Sequence, residues 1–574
     1  MPLPLDIKQR PDERVLRQLA AALIFEGIVQ PQQKGTAASW SLGGRSFRCT
    51  LTTGPFGRPR IGAGSIEIEA EDGGWTAPSL DDLVAALPGP AANRQKLLGE
   101  MKQTIAFSAW NEANLPHRDR RLMSLAGLEG ALDEGHPYHP CFKARTGFSV
   151  EDHHAYGPEA GETFQLVWLA VARQHLQQTL PAAEATFWEV ELGPEAWEEL
   201  QARRDASGLT ADEAGFLPLH PWQWHNLRGT LLAPWLASGE ARFLGALGDV
   251  YTATQSVRTL ANRSRPQAAN IKLPLNMTNT SSLRILDPPS ICSAPILSHW
   301  IAGLVDSDRA FNTLYPLTIL KEYAGIIAGD GGPLAGLAAS IWRQNPEAGL
   351  VDGQSIVPFN VLMMTEHDSR PFIKRWIGRH GLMPWLNRLI EVSVLPVWHL
   401  LVHHGIAVEA HGQNMLLVHR DGWPERLVLR DFHESMEFSP AFLREPEKAP
   451  DFASLHPLFR DAAPDQYYWT DNLDSLRELV MDTLFVYNLS EISHLFETCY
   501  ALPEAVFWQR VGHCLSAYAD STGSADRLAR LGWAHPDILT ESLLTRKLFA
   551  AQPEYHHRVP NALSVDARER RRKP

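Results

Sequence analysis

The sequence of 574 residues predicts an α+β protein of two to four packed domains, on three observations. The length exceeds what one hydrophobic core serves. Apolar residues alternate at period two around glycine turns in some segments, and in others they recur at the spacing of a helix face. Hydrophobic residues at 44% and charged residues at 21% lie in the range of soluble globular chains, which excludes disorder, collagen and coiled coil.

Residues 12–27 follow the helical template, with Asp12 as N-cap, Leu16, Leu19 and Leu23 on one face, and Gly27 as the stop. Trp40 and Leu42 lead through Gly43-Gly44 to Phe47, Cys49 and Leu51, a hairpin pattern, and Ile66 and Ile68 alternate with Glu67 and Glu69. From Ala92 to about Glu134 helix-forming residues dominate and predict one or two long helices. Between 135 and 360 short apolar runs are broken by His-Pro, Asn and Ser/Thr clusters, at spacings that amphipathic patterning does not require. Gly329 to Gly336 reads as a surface loop between this region and the C-terminal third. Beyond it, 384–405 is a long apolar helix, 415–429 a hairpin, 473–550 several helices, and Arg568 to Lys573 a basic solvated tail.

Lys+Arg 53 against Asp+Glu 66 leaves a net charge of −13, the wrong sign for a chain that neutralises a nucleic-acid backbone. Five dispersed cysteines without a C-x-x-C pair fit a reducing compartment. No run is apolar enough to span a membrane, and the opening MPLPLDIKQRPDER meets charge before any apolar core of a leader, so a cytoplasmic protein is expected. P-loop, dinucleotide-fold, nucleophile-elbow and zincin motifs are missing.

Four segments carry chemistry instead. GHPYHPCFKARTGFS places His136, His139, Lys143 and Arg145 within ten residues, with Pro137 and Pro140 holding the histidine steps out of helix. Such a cluster suits a polycarboxylate or phosphate. The plainer alternative is a set of turn hydrogen bonds, and zinc at His136 and His139 is opposed by the adjacent cations. The second segment runs from Ser256-Val257-Arg258-Thr259 to NIKLPLNMTNTSSLRIL. As an extended strand, 270–275 puts Ile271, Leu273 and Leu275 on one face and Lys272 on the other, with Pro274 marking a sheet edge. Thr278, Asn279, Thr280, Ser281 and Ser282 then supply hydroxyl and amide groups before Arg284. Cations plus short-range donors are what a triphosphate requires; a solvated Ser/Thr turn is the alternative.

EAHGQNMLLV and LVLRDFHE form the third and fourth, joined through the Asp421-Gly422 turn. Their open ends bring Glu409, His411, Gln413 and Asn414 beside Asp431 and Glu434, an oxygen-rich set that suits Mg²⁺. A purely structural hydrogen-bond network is the competing reading. Trp222 and Trp224 in LHPWQW are read as core.

Taken in order, GHPYHPCFKARTGF, LHPWQ, SVRT, KLPLNMTNTSSLR, EAHGQN and RDFHE resemble the NRPS-independent siderophore synthetases of the aerobactin-synthetase type. The resemblance implies a multi-domain cupped hand: a thumb-like domain over 1–134, fingers over 135–360, and a palm over 361–574 that ends in an FhuF-like helical part. It implies ATP in the palm cleft, with Ser256, Arg258, Thr259, Lys272, Thr280, Arg284, His411 and Asn414 as nucleotide contacts. Glu409, Gln413 and Asp431 correspond to the magnesium side, with Glu434 a lesser member, and His136, His139, Lys143 and Arg145 to the acid-substrate side. One departure is Asn561-Ala562, preceded by Lys547, where such chains often have Asn-Pro.

The implied reaction activates a carboxylate as its adenylate, with His411, Arg284 and Lys272 as the catalytic side chains, and then transfers the acyl group to an amine or alcohol. Citrate, or a citrate-derived or related acid, is the expected substrate, ATP and Mg²⁺ the cofactors, and a homodimer the expected assembly. The rival reading is a kinase-like phosphotransferase that uses Asn414 and Asp431.

Overall fold

The computed structural model describes residues 9–329, 331–552 and 554–564; the basic tail lies outside them. The first helix, Pro11–Phe25, begins one residue earlier than expected and its N-cap is Arg10, not Asp12. Proline at the first helical position is pre-set for helical φ, so Asp12 falls inside the first turn, where its charge favours the helix dipole. Gly27 follows the end at φ +70°. The Gly43-Gly44 hairpin forms with Trp40 opposite Phe47, their rings stacked at 5.8 Å. The helical stretch after Ala92 is one long helix, Ala91–Asn114, followed by the short Leu125–Ala131.

An antiparallel sheet of eight strands carries the middle of the chain. Its order is Leu176–Thr179, Glu322–Ala328, Ala339–Arg343, Asn270–Lys272, Thr259–Asn262, Ala241–Ala253, Phe164–Ala172, Ala214–Leu219. Two sequence expectations are corrected here. Asn270–Lys272 is a central strand, paired on both sides, and not an edge. Pro274 is accommodated because the strand stops two residues before it, so its missing N–H breaks no ladder. The glycine-rich stretch after Gly329 joins Glu322–Ala328 to Ala339–Arg343 within this sheet and is not a link to the C-terminal third.

A second sheet orders Leu317–Ile319, Trp423–Leu429, Met415–Arg420 and Gln354–Pro358, with only the first pair parallel. The expected 415–429 hairpin is its centre, turning at Asp421 and Gly422, both at positive φ. Leu382–His399 is the long apolar helix, prolonged by a wider π turn over Leu400–His404. The helices after Leu473 are interrupted by a hairpin that the sequence reading missed, Asp537–Glu541 with His556–Pro560. Both ends of the chain share one apolar core: Phe56 packs edge-on against Trp508 at 4.8 Å, and Glu26 accepts from the backbone of Leu544 at 2.9 Å. Among the described residues no helix is long and apolar enough to cross a membrane.

Candidate active site

Side chains alternate across a strand, and this parity builds the site. In Asn270–Lys272, Ile271 enters the core beneath the large sheet and Lys272 emerges on the opposite face. The neighbouring strand sets Arg343 directly opposite Asn270, hence on the face of Lys272. Both cations converge on one oxygen: Asp431 Oδ1 accepts from Lys272 Nζ at 3.1 Å and from Arg343 Nη1 at 2.6 Å. Burial opposes ionisation of Asp431, but Arg343 and Lys272 outweigh it and hold the carboxyl well below its ordinary range. Burial lowers the Lys272 pKa, and Asp431 offsets part of that fall. Lys272 Nζ also donates to His433 Nε2 at 3.3 Å, which leaves the proton of that ring on Nδ1, facing Glu322 Oε1 at 2.7 Å.

The turn that carries Arg258 is strained. Val257 sits at φ +67°, costly for a β-branched residue. Its side chain is fully buried among Phe107, Phe148, Trp222, Leu275 and Met277, which fixes the conformation. Ser256 Oγ closes the turn by accepting from Thr259 N at 3.0 Å. Arg258 is thereby aimed at Glu434, 3.2 Å away, and it also donates to the carbonyl of Ile285. Arg284 lies on the returning limb of the Ser/Thr loop, whose tip, Thr280, has φ +58° and donates its N–H to Cys141 O at 3.1 Å. Arg284 donates to Asn279 O at 2.8 Å, while its Nε is buried without a partner among the described residues. Burial, reinforced by Arg258, brings its pKa down to about 10. A half-buried guanidinium whose inner nitrogen has no partner among the described residues is a site that calls for an anion.

The two ends of the 415–429 hairpin are tied together by Arg430, whose N donates to Asn414 O at 3.0 Å and Nε to Gln413 O at 2.8 Å, with Glu129 at 2.7 Å on its far side. Asn414 Nδ2 is spent on the carbonyl of Glu409 at 3.2 Å. Glu409 reaches the site because Ile406–Val408 pairs with Met436–Phe438, and its N–H donates to Ser435 O at 2.9 Å. Burial raises its pKa, and the charges of Glu434 and Asp431 add to the rise. Glu409 lies near enough to Glu434 and Asp431 to feel their charges, and three such carboxylates have the chemistry a divalent cation takes.

The histidines share one geometry. Backbone N–H groups only donate, so each Nδ1 that receives one must accept, and the neutral ring keeps its proton on Nε2. His411 Nδ1 accepts from Gln413 N at 3.2 Å and Asn414 N at 3.3 Å; His136 Nδ1 accepts from Tyr138 N and His139 N, both at 3.1 Å; His139 Nδ1 accepts from Cys141 N at 3.0 Å. Burial takes His411 down to about 4 and His136 to about 3. The Nε2 of His139 is buried without a partner among the described residues.

Of the sequence candidates, Arg258, Lys272, Arg284, Glu409, His411, Gln413, Asn414, Asp431 and Glu434 come together, with Ser256, Thr259 and Thr280 shaping the turns that border them. His136 adjoins this group through His411 and Arg284. Lys143 and Arg145 are committed elsewhere. Lys143 contacts Asp133 and lies 3.0 Å from Glu159, and Arg145 forms a two-pronged pair with Glu159 at 2.8 and 2.7 Å. They brace the loop behind His136, next to a cavity of about 1040 Å³ lined in part by Arg14, Arg58, Tyr138, Glu134 and Glu491. Near the C-terminus, Lys547 contacts Glu100, and Asn561 caps the carbonyls of Trp533 and His535 at 2.9 and 2.8 Å.

Residues 124–364 match the family model described as the IucA / IucC family, and residues 383–570 the model described as ferric iron reductase FhuF-like transporter. A Bacillus anthracis protein, citryl-spermidine/3,4-dihydroxybenzoyl-citryl-spermidine:spermidine ligase, is 32% identical over 571 residues, 96% of this chain and 93% of its own length. The chain belongs to the IucA/IucC family of siderophore synthetases. The family fold is present throughout. The crystal structure of the petrobactin biosynthesis protein AsbB from Bacillus anthracis superposes with a TM-score of 0.91 at 30% identity, covering 98% of this chain and 97% of AsbB. The aerobactin synthetase IucC of Klebsiella pneumoniae gives 0.83 at 26%, covering 97% and 98%. This siderophore-synthetase chain thus has the expected α+β architecture with antiparallel sheets and a helical C-terminal part, the last within the FhuF-like match.

Sequence reasoning overlooked Arg343, Glu322, His433 and Arg430. The signal that singled out Lys272, a charge inside an apolar strand, was also present for Arg343 at the end of ASIWR and for Glu322 at the start of EYAGIIA.

Proposed function

We propose that this chain activates a carboxylate of citrate, or of a citrate-derived acid, with ATP, and joins it to an amine to form an amide. The observation that carries the reading is the convergence of three cations from separate loops and strands, Arg258 and Lys272 buried and Arg284 half-buried, opposite the carboxylates of Glu409, Asp431 and Glu434. The name of the Bacillus anthracis relative, a ligase of citryl-spermidine and spermidine, supports a citrate-type acid and an amine.

In the first step a carboxylate oxygen of the acid bonds to the α-phosphorus of ATP, the bond from that phosphorus to the bridging oxygen breaks, and pyrophosphate leaves. In the second the amine nitrogen bonds to the acyl carbon, AMP departs, and the nitrogen releases its proton to solvent. Bringing two anions together is the barrier, and Arg258, Lys272 and Arg284 lower it by offsetting charge. The Nδ1 contacts of His411 support a role as an Nε2–H donor to the acid or the α-phosphate. His136 offers its Nε2–H to another carboxylate of the acid, while His139, fully buried, holds the loop with Lys143 and Arg145. Ser256, Thr259 and Thr280 border the phosphates, and Asn414 orients the Glu409 segment. Glu409, Gln413 and Asp431 would hold Mg²⁺, which supplies charge neutralisation at the departing pyrophosphate.

The deciding experiment follows nucleotide products with citrate and an amine. AMP with pyrophosphate, and a hydroxamate when hydroxylamine replaces the amine, support the reading; ADP would overturn it in favour of phosphotransfer.

A further inference from the structure

Away from the cation cluster, the π turn that ends the long apolar helix assembles three imidazoles around one carboxylate. His399 and His403 are four residues apart, the spacing that stacks side chains on one helix face, and their rings lie parallel at 4.5 Å. The wider turn over Leu400–His404 brings His404 round to the same place, its ring 4.9 Å from that of His403. Short π segments within helices recur at functional positions. Asp308, at the junction of the helices Pro288–Ser307 and Arg309–Thr313, faces all three: its Oδ2 is 2.9 Å from His399 Nε2, 2.9 Å from His404 Nε2 and 4.0 Å from His403 Nε2.

We infer that Asp308, His399, His403 and His404 form a binding site for a zinc-type transition-metal ion, separate from the magnesium side of the active site. One ligand atom from each of the four lies within 4.8 Å of the others. A tetrahedral ion with bonds of about 2.0–2.1 Å sets its ligand atoms about 3.3 Å apart, so the present spacing needs only small side-chain rotations to close on the ion. Three neutral nitrogens and one carboxylate are a donor set of the right chemistry, and a carboxylate oxygen that already takes two imidazole N–H groups gains nothing structural from a third ring.

Supporting contacts orient the donors. His399 Nδ1 meets Tyr518 Oη at 2.9 Å, the outer hydrogen bond that fixes a ligating imidazole, and the other oxygen of Asp308 accepts from Ala310 N at 2.8 Å. His403 is a quarter exposed, so an ion can enter there; Arg444 Nη1, 3.4 Å from His403 Nδ1, has to turn aside, because a ring that ligates through Nε2 carries its proton on Nδ1. Gly405 and the strand Ile406–Val408 follow at once and end beside Glu409. An ion at this site therefore clamps the root of the segment that delivers Glu409 and His411.

The test uses the full chain without a histidine tag, stripped with chelator, exposed to zinc sulfate and desalted before elemental analysis, with cobalt(II) as a spectroscopic probe. The expected result is one zinc retained per chain and the intense visible bands of tetrahedral cobalt. His403→Ala, at the exposed ligand, should reduce retention at least tenfold. Asp308→Asn, which keeps an oxygen for the Ala310 N–H, should do the same if the first variant folds poorly. Chelator should lower the melting temperature of the parent chain and leave that of the variant unmoved. No retained zinc in the parent chain, or equal retention in the folded variants, would overturn the proposal. Nucleotide turnover enters neither readout, so failure here leaves the synthetase reading intact, and the reverse.

Discussion

Lys272 and Asp431, 159 residues apart in the chain, meet at 3.1 Å, and Arg343 closes on the same oxygen from the adjoining strand. The carboxylate thereby fixes two cations drawn from neighbouring strands of the large sheet.

Replacing Lys272 by Ala is expected to reduce kcat/KM for pyrophosphate release by about 100-fold, the scale of losing one pre-set charge stabiliser. Circular dichroism should show the fold retained, since Arg343 still neutralises Asp431. Turnover within a fewfold of the parent would remove Lys272 from the phosphate site.

Arg343 carries the same expectation without any motif to announce it. Arg343→Ala should lower turnover at least tenfold and cost about 3 kcal/mol of stability, the lower end for breaking a buried pair, because Lys272 remains. Arg343→Lys should restore part of the parent rate, as an ammonium can replace the single contact of Nη1 with Asp431. Denaturant titration beside steady-state kinetics separates the two effects.

Stability should fall as pH drops from about 6.5 towards 4. His136 and His411 titrate at about 3 and about 4 when folded, below their ordinary value, so across that window the unfolded chain binds more protons and gains on the folded one. Glu434 and Asp431, depressed by Arg258 and by Arg343 and Lys272 against burial, hold their contribution above the ordinary carboxylate range and lose it only at lower pH. Melting temperatures at pH 7.5, 6 and 5 check the sign; a flat profile contradicts it.

Removing Mg²⁺ with EDTA should abolish pyrophosphate release and excess Mg²⁺ restore it. Glu409→Gln relieves the carboxylate crowding but removes a ligand charge, and should raise the Mg²⁺ concentration for half-maximal rate about tenfold or more. An unchanged requirement would take Glu409 out of the metal set.

Gly422→Ala and Gly44→Ala separate two costs. Both positions have positive φ, +85° and +77°, but a Cβ on Gly422 would lie 2.1 Å from the Trp376 ring while one on Gly44 meets nothing within 4 Å. The Gly44 variant should lose about 1 kcal/mol, the conformational part alone. The Gly422 variant should lose clearly more, as Trp376 has to move. Equal losses in urea titration would refute the packing argument.

Local chemistry made much of this protein legible. Alternation around Gly43-Gly44 and Asp421-Gly422 fixed two hairpins because only a few residue types tolerate those turns. An apolar run fixed the helix from Leu382, and the charge of Lys272 inside an apolar strand marked a site, since burial of a lone ammonium is too costly to be incidental. Tertiary structure decided the rest. Whether Asn270–Lys272 lies at an edge depends on which distant strands flank it, and the role of Arg343 depends on a register set across the sheet. The state of His411 follows from two backbone N–H groups that exist as donors only in the folded loop. Sequence therefore determined which groups had to find partners, and the fold, by bringing remote strands into one plane, chose which partners they found.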